Sequence, residues 1–187
     1  PSMNPIDQLK ADNGQFQWHP MAHPGVMKKH RPDIVARGEG CWIWDDKGEK
    51  YLDCIAGIAV NAFGHAPPFL VKALHEQAQK LWHTSNLFRI GNGERLAKRL
   101  VENSFADTMF FCNSGAEAIE GGIKLIRKYQ FMNGQPQRYK IIAFQAAFHG
   151  RLLNALSATG NEKYLEGFGP PAPGYLHAPL NNTNVVR

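Results

Sequence analysis

An α/β fold built on a parallel sheet is what this sequence predicts, and three observations carry that expectation. Met109-Phe110-Phe111-Cys112 is a short apolar run that suits a buried strand, and after Asn113 the pattern changes to a helical period. A second transition of the same kind follows, in which Tyr139 to Phe144 reads as a strand and runs into the loop Gln145 to Arg151. The two strands lie about 30 residues apart with a helix between them, the spacing of a right-handed βαβ unit. Both loops then emerge at the carboxyl edge of the sheet, where open α/β sheets bind their ligands.

From the N-terminus, residues 1 to 36 read as irregular because Pro5, Pro20, Pro24 and Pro32 interrupt any period. His19 and His23 each precede a proline, which disfavours the helix that would let them share a metal, so they read as loop histidines. Gly40 to Asp53 reads as a hairpin, with Cys41–Trp44 and Glu49–Asp53 flanking the turn residues Asp45-Asp46-Lys47-Gly48. Ile55 to Gly64 is small and apolar, Phe69 to Trp82 has helical spacing with Leu70, Leu74, Ala78 and Leu81 near one face, and a further helix spans 93 to 104.

The helix after Asn113 carries the strongest local signal. Ser114 and Glu117 form the S-x-x-E pattern whose side chains satisfy the free N–H groups of a helix start. Ile119, Gly122, Ile123 and Ile126 then share one face, so the helix packs on something apolar. Its N-terminus, with exposed N–H groups and the positive end of the dipole, suits a phosphate, and Gly115 lets a ligand approach the backbone. Asn161 to Gly174 is rich in Gly and Pro and reads as a loop.

Composition narrows the function classes. The 187 residues are 43% hydrophobic with 18 Gly and 12 Pro, a globular composition. The net charge of +5 comes from scattered basic pairs such as Lys28-Lys29, Lys98-Arg99 and Arg127-Lys128, so no nucleic-acid surface is expected. Cys41, Cys54 and Cys112 are far apart and lack C-x-x-C spacing, which argues against a disulfide framework or zinc site and fits a reducing, cytoplasmic setting. The apolar stretch Cys54 to Val60 is far too short for a bilayer, so no membrane partner is expected. Ser114 lies outside any G-x-S-x-G elbow, and no G-x-x-x-x-G-K-[ST] loop is present, which disfavours a serine hydrolase and a P-loop enzyme.

The segments NSGAEAIEGGIKLIRKY, FHGR and ALSATG, in that order and spacing, resemble the class III (subgroup II) aminotransferases, within them the acetylornithine branch. The similarity extends upstream through RGEG, WDDKGEKYLDCIAGIAVNAFGH and KLWHTSNLF and covers about Arg37 to Gly169. It implies an α/β architecture of pyridoxal-phosphate-dependent transferase fold type I. Residues 1–63 would be an N-terminal arm and hairpin segment belonging to the small domain, and 64–187 the start of the large cofactor domain. The implied cofactor is pyridoxal 5'-phosphate, and the implied reaction moves the side-chain amino group of N-acetylornithine to 2-oxoglutarate. Ornithine, succinylornithine, 4-aminobutyrate and diamine donors stay open, as does a non-catalytic phosphate-binding remnant.

The resemblance also implies site residues. Ser114, Gly115 and Ala116 would hold the phosphate, Phe148 would stack on the ring with His149 buttressing it, and Arg151 would grip a substrate carboxylate through its planar fork. Asn86, with Ser85, would contact substrate or the second subunit of a homodimer, or else would cap the helix beginning near Asn92. Two positions depart from the family: Leu152 stands where Thr or Ser usually follows the arginine, and Ala66-Pro67 lack a second histidine. The Schiff-base lysine and the acidic partner of the ring nitrogen are expected beyond Arg187, so no catalytic residue is assigned in this chain. Lys124, Lys128 and Lys163 are poorly placed to replace that lysine.

Overall fold

The computed structural model describes residues Ile34–Arg187, and His19 and His23 fall outside that range. The described chain forms two compact units that divide between Ile90 and Gly91.

The first unit opens with an antiparallel meander of β1 (Val35–Glu39), β2 (Trp42–Asp45) and β3 (Lys50–Leu52). The expected hairpin is there, in the register Trp42↔Leu52, Ile43↔Tyr51 and Trp44↔Lys50. The buried Asp45 sets its turn. Its Oδ1 accepts the N–H groups of Lys47 (3.0 Å) and Glu49 (2.8 Å), and its Oδ2 accepts the Tyr51 hydroxyl (2.9 Å). Burial opposes the charge on Asp45, but these bonds outweigh it and hold the carboxyl below its usual range. Strand β1 corrects the expectation of an irregular chain up to residue 36: Val35 and Ala36 belong to it, and a bulge between Val35 and Arg37 breaks the alternation that would mark a strand. Trp42 and Trp44 line the sheet surface beneath cations, with Lys50 Nζ 4.1 Å from the Trp42 ring and the Arg37 guanidinium 3.5 Å from that of Trp44.

After β3 the backbone takes a left-handed turn. Ala56, Gly57, Ile58 and Ala59 have φ of 49°, 65°, 63° and 61°, and the Ala59 N–H reaches the Ile55 carbonyl at 2.9 Å. This hand costs roughly 1–2 kcal/mol at each residue bearing a Cβ, so neighbouring contacts must hold it. Asp53 is the clamp: its Oδ1 accepts from Ile55 (3.0 Å) and Ala56 (2.9 Å), and its Oδ2 accepts from His65 Nε2 (2.7 Å). His65 in turn exchanges both backbone bonds with Gly40 at 3.0 and 2.7 Å. A Cβ on Gly38 would fall 2.6 Å from the His65 ring, and one on Gly64 (φ 76°) would fall 2.7 Å from the Gly40 carbonyl oxygen, so both positions need glycine. Helix α1 (Pro68–Ala78) follows, with Pro68 at its first position and Phe69 edge-on to Phe63 at 5.5 Å. It ends before the expected Trp82, whose indole N–H instead donates to the Ala78 carbonyl at 2.7 Å.

The second unit comprises α2 (Gly91–Glu102), α3 (Gly115–Met132), β4 (Ile141–Phe144), α4 (Leu153–Thr159), α5 (Glu162–Leu165), β5 (Tyr175–Ala178) and α6 (Thr183–Val186). Its sheet is parallel, β4 against β5, with Ile141↔Tyr175 through Phe144↔Ala178 in register. Met109–Cys112, expected as the first strand of the βαβ unit, forms no ladder among the described residues. An apolar run becomes a strand only where a second backbone meets it. Strand β5 escaped notice because His177 interrupts a run of only four residues. Short helix α5, capped by Asn161 Oδ1 accepting from Lys163, lies inside the stretch expected to be loop.

The core of this unit centres on α4, where Ala155, Leu156, Ala158 and Thr159 are buried together with Ile123 of α3, Ala143 of β4 and Ala178 of β5. Arg127 of α3 ties down the entries to both strands, donating to the carbonyls of Tyr139 (3.2 Å) and Pro173 (3.1 Å). Tyr175 donates its hydroxyl to Asn154 (2.7 Å), which donates to Glu120 (2.9 Å). Burial first, and the Glu120 charge second, raise the Tyr175 phenol above its ordinary value, while Arg127 opposes them.

The Asp53 clamp makes a pH-dependent prediction. Its carboxyl is held below the usual 3.8, chiefly by the Ala56 N–H and then by His65. The stabilisation is therefore fully present above pH 3.8 and is lost as the pH falls through the lower folded-state value. Urea midpoints measured against pH should show Asp53→Asn destabilised at neutral pH, with the gap from wild type closing only in strong acid.

Candidate active site

The candidate site is built on the start of α3. Ser114 is the N-cap, in extended conformation, and the capping box is complete: the Glu117 N–H donates to Ser114 Oγ (3.2 Å) and the Ser114 N–H to Glu117 Oε2 (3.0 Å). Glu117 Oε2 also accepts the Asn113 N–H at 2.6 Å. The glutamate thus occupies the two amides that precede the helix and leaves those of Gly115 and Ala116, which donate to no protein acceptor among the described residues. A Cβ on Gly115 would meet nothing within 4 Å, so the helix start is open on that side. Two free amides, the Ser114 hydroxyl proton and the positive end of an 18-residue helix suit a phosphate dianion.

The loop Phe148–Arg151 comes directly against this helix start. A Cβ on Gly150 (φ 119°) would lie 2.8 Å from Ala116 Cβ and 3.1 Å from Ala116 Cα, so the contact exists only because residue 150 has no side chain. The His149 N–H donates to Thr159 Oγ1 at 3.1 Å. Phe148 is 69% exposed, its ring free to lie on a flat ligand. Beyond it a cleft of about 290 Å³ is lined by Phe148, Arg151, Leu156, Lys163, Tyr164 and Phe168, which places Arg151 on the wall of a space that begins at the Phe148 ring.

Asn86 belongs to the first unit. Ser85 (φ 29°) accepts the Leu87 N–H at 3.2 Å and directs its hydroxyl toward Asn86 Oδ1 at 3.5 Å, so the pair closes a turn of its own and does not serve as the cap of α2. Gly150 and Thr159 escaped the sequence reading. The Thr159-Gly160 pair at the end of α4 and the glycine of FHGR were the local signals, but their meaning depends on which segment lies beside each.

A family description, class III aminotransferase, matches residues 26–187. The chain belongs to the class III aminotransferases. Acetylornithine aminotransferase 1 of Bradyrhizobium diazoefficiens is 60% identical over 151 residues, covering 81% of this chain and 37% of that protein. The acetylornithine aminotransferase of Rhodobacter capsulatus is 53% identical over 83% of this chain and 40% of its own length. The chain therefore spans about two fifths of the length of these curated relatives. Among solved structures, an (S)-enantioselective omega-transaminase from Thermomicrobium roseum superposes with a TM-score of 0.84 at 35% identity, over 95% of this chain and 40% of its own. An ornithine aminotransferase from Toxoplasma gondii does so with 0.83 at 25% identity, over 98% and 42%. The architecture is the α/β fold type I that the motifs implied. Among the described residues no helix is long and apolar enough to cross a membrane.

Leu152 is the N-cap of α4 and offers no side-chain hydrogen bond, whereas a hydroxyl at this position would cap the helix. Leu152→Thr should therefore stabilise the fold by about 1 kcal/mol, and Ser114→Ala should destabilise it by about 1 kcal/mol. Urea denaturation of both variants checks the two signs together.

Proposed function

We propose that the protein carrying this chain is a pyridoxal-phosphate-dependent aminotransferase that moves the side-chain amino group of N-acetylornithine to 2-oxoglutarate, as in arginine biosynthesis. The observation that carries this proposal is the contact of Gly150 with Ala116, which brings the helix start that suits a phosphate and the loop bearing Phe148 and Arg151 into one place. The names of the relatives at 60% and 53% identity favour N-acetylornithine over the other donors of the family. A cytoplasmic homodimer completes the proposal, on the strength of the sequence resemblance alone.

In this proposal each group has a defined task. Gly115 and Ala116 donate their N–H groups, and Ser114 its hydroxyl proton, to the cofactor phosphate. Phe148 covers one face of the ring and keeps water from it. His149 supports that loop through its backbone, which Thr159 holds. Arg151 presents a planar, permanently charged fork to the substrate carboxylate in the cleft it lines with Lys163, Tyr164 and Phe168. When bound, pyridoxal phosphate supplies the electron sink that lets an amino group leave one carbon skeleton and join another.

Arg151→Ala in the full-length enzyme should raise KM for N-acetylornithine on the order of tenfold or more while leaving the cofactor bound, the effect of losing a charge-assisted pair. Unchanged KM would remove Arg151 from the site. Rates on N-acetylornithine, ornithine and 4-aminobutyrate under one set of conditions then rank the donors, and preference for either of the latter two would replace the proposed substrate.

A further inference from the structure

We infer that Thr159 is the positioning residue for the proposed site, and that its hydroxyl holds the Phe148–Arg151 loop in the place where it can bind cofactor and substrate. The inference rests on the function proposed above. Thr159 is 1% exposed, on the last turn of α4. Burying a hydroxyl there is unfavourable unless both its donor and its acceptor capacity are used. Both are used: Oγ1 donates to the Ala155 carbonyl at 3.0 Å and accepts the His149 N–H at 3.1 Å. The first bond turns the lone pairs toward the loop, and the second fixes the backbone between Phe148 and Gly150.

The support behind Thr159 runs back to the sheet. Gly160 ends α4 in a left-handed conformation (φ 67°), and the ring of His177 from β5 fills the place where its Cβ would be. His177 Nε2 lies 3.0 Å from the Ala158 carbonyl, which can only accept, so this nitrogen carries the proton. The chain of contacts is then β5, the end of α4, the Thr159 hydroxyl and the site loop. Gly150 presses that loop against Ala116. Losing the hydroxyl frees His149 without altering any group that would touch a ligand.

The same helix provides a control. Ser157 is 3% exposed and uses its hydroxyl in the same double manner, donating to the Leu153 carbonyl (2.8 Å) and accepting the Ala172 N–H (2.8 Å). It anchors the approach to β5 and leaves the site loop alone. A merely structural role for Thr159 predicts that the two hydroxyls behave alike, whereas a positioning role predicts that they differ.

The test uses the full-length protein, as apoenzyme titrated with pyridoxal phosphate and as holoenzyme assayed with N-acetylornithine. Thr159→Val should weaken cofactor binding about tenfold and raise KM about tenfold with kcat within about threefold of wild type, Thr159→Ser should stay within about twofold on all three, and Ser157→Ala should lower the melting temperature without moving either binding constant. Wild-type cofactor binding in Thr159→Val, equal losses in Ser157→Ala, or failure of Thr159→Ser to retain binding would each overturn the assignment. Should Thr159→Val not fold, amide exchange at His149 decides: protection in wild type and in Thr159→Ser supports the anchor, and exchange at the rate of an open loop overturns it. A wild-type protein that binds no pyridoxal phosphate sinks the proposed function and this inference with it. A wild-type protein that binds it, beside a Thr159→Val variant that binds it equally well, sinks this inference alone.

Discussion

Gly150 and Ala116 come together at a distance that leaves no room for a side chain on the loop. The amides of α3 on their own can attract an anion, as those at many helix starts can. An aromatic ring and a guanidinium on an exposed loop are equally unremarkable. Chemistry becomes available when both are held within reach of one ligand, and here the backbone of the loop rests on the first turn of the helix. The helix start must therefore stay fixed, and Glu117 secures it by occupying the Asn113 and Ser114 amides without taking those of Gly115 and Ala116.

Polar side chains perform the positioning in both units. Asp53, bonded to two amides and to His65, holds a turn whose left-handed conformation is unfavourable for Ala56, Ile58 and Ala59. Asp45 holds the hairpin turn with two amides and a phenol. Thr159 and Ser157 hold two loops from the apolar surroundings of α4. In each case a polar side chain that makes several directional hydrogen bonds specifies one backbone path, which apolar contacts, being non-directional, do not.

The parallel pair also explains why the strand prediction was half right. Tyr139 to Phe144 and Met109 to Cys112 look alike as sequences, yet only the former carries a ladder, through Ile141 to Phe144 against Tyr175 to Ala178. Strand propensity describes what a segment tolerates, and pairing is a property of two segments. Tyr175-Leu176-His177-Ala178 is a poor strand by composition, but Arg127 at the Pro173 carbonyl and His177 under Gly160 bring it alongside β4.

Interactions within a few residues were legible without the fold: the Ser114–Glu117 capping box, the Asp45 turn of the hairpin, the existence of helices α1 to α3, and the motifs that mark the family. Their geometry is set by bonds that close over one or two turns of chain, so residue order suffices to read them. The partner of β4, the seat of Gly150 on Ala116 and the bond from His149 to Thr159 were decided by the tertiary structure alone. Each depends on the close approach of backbones that lie far apart in sequence, and local pattern carries no record of which segments will meet.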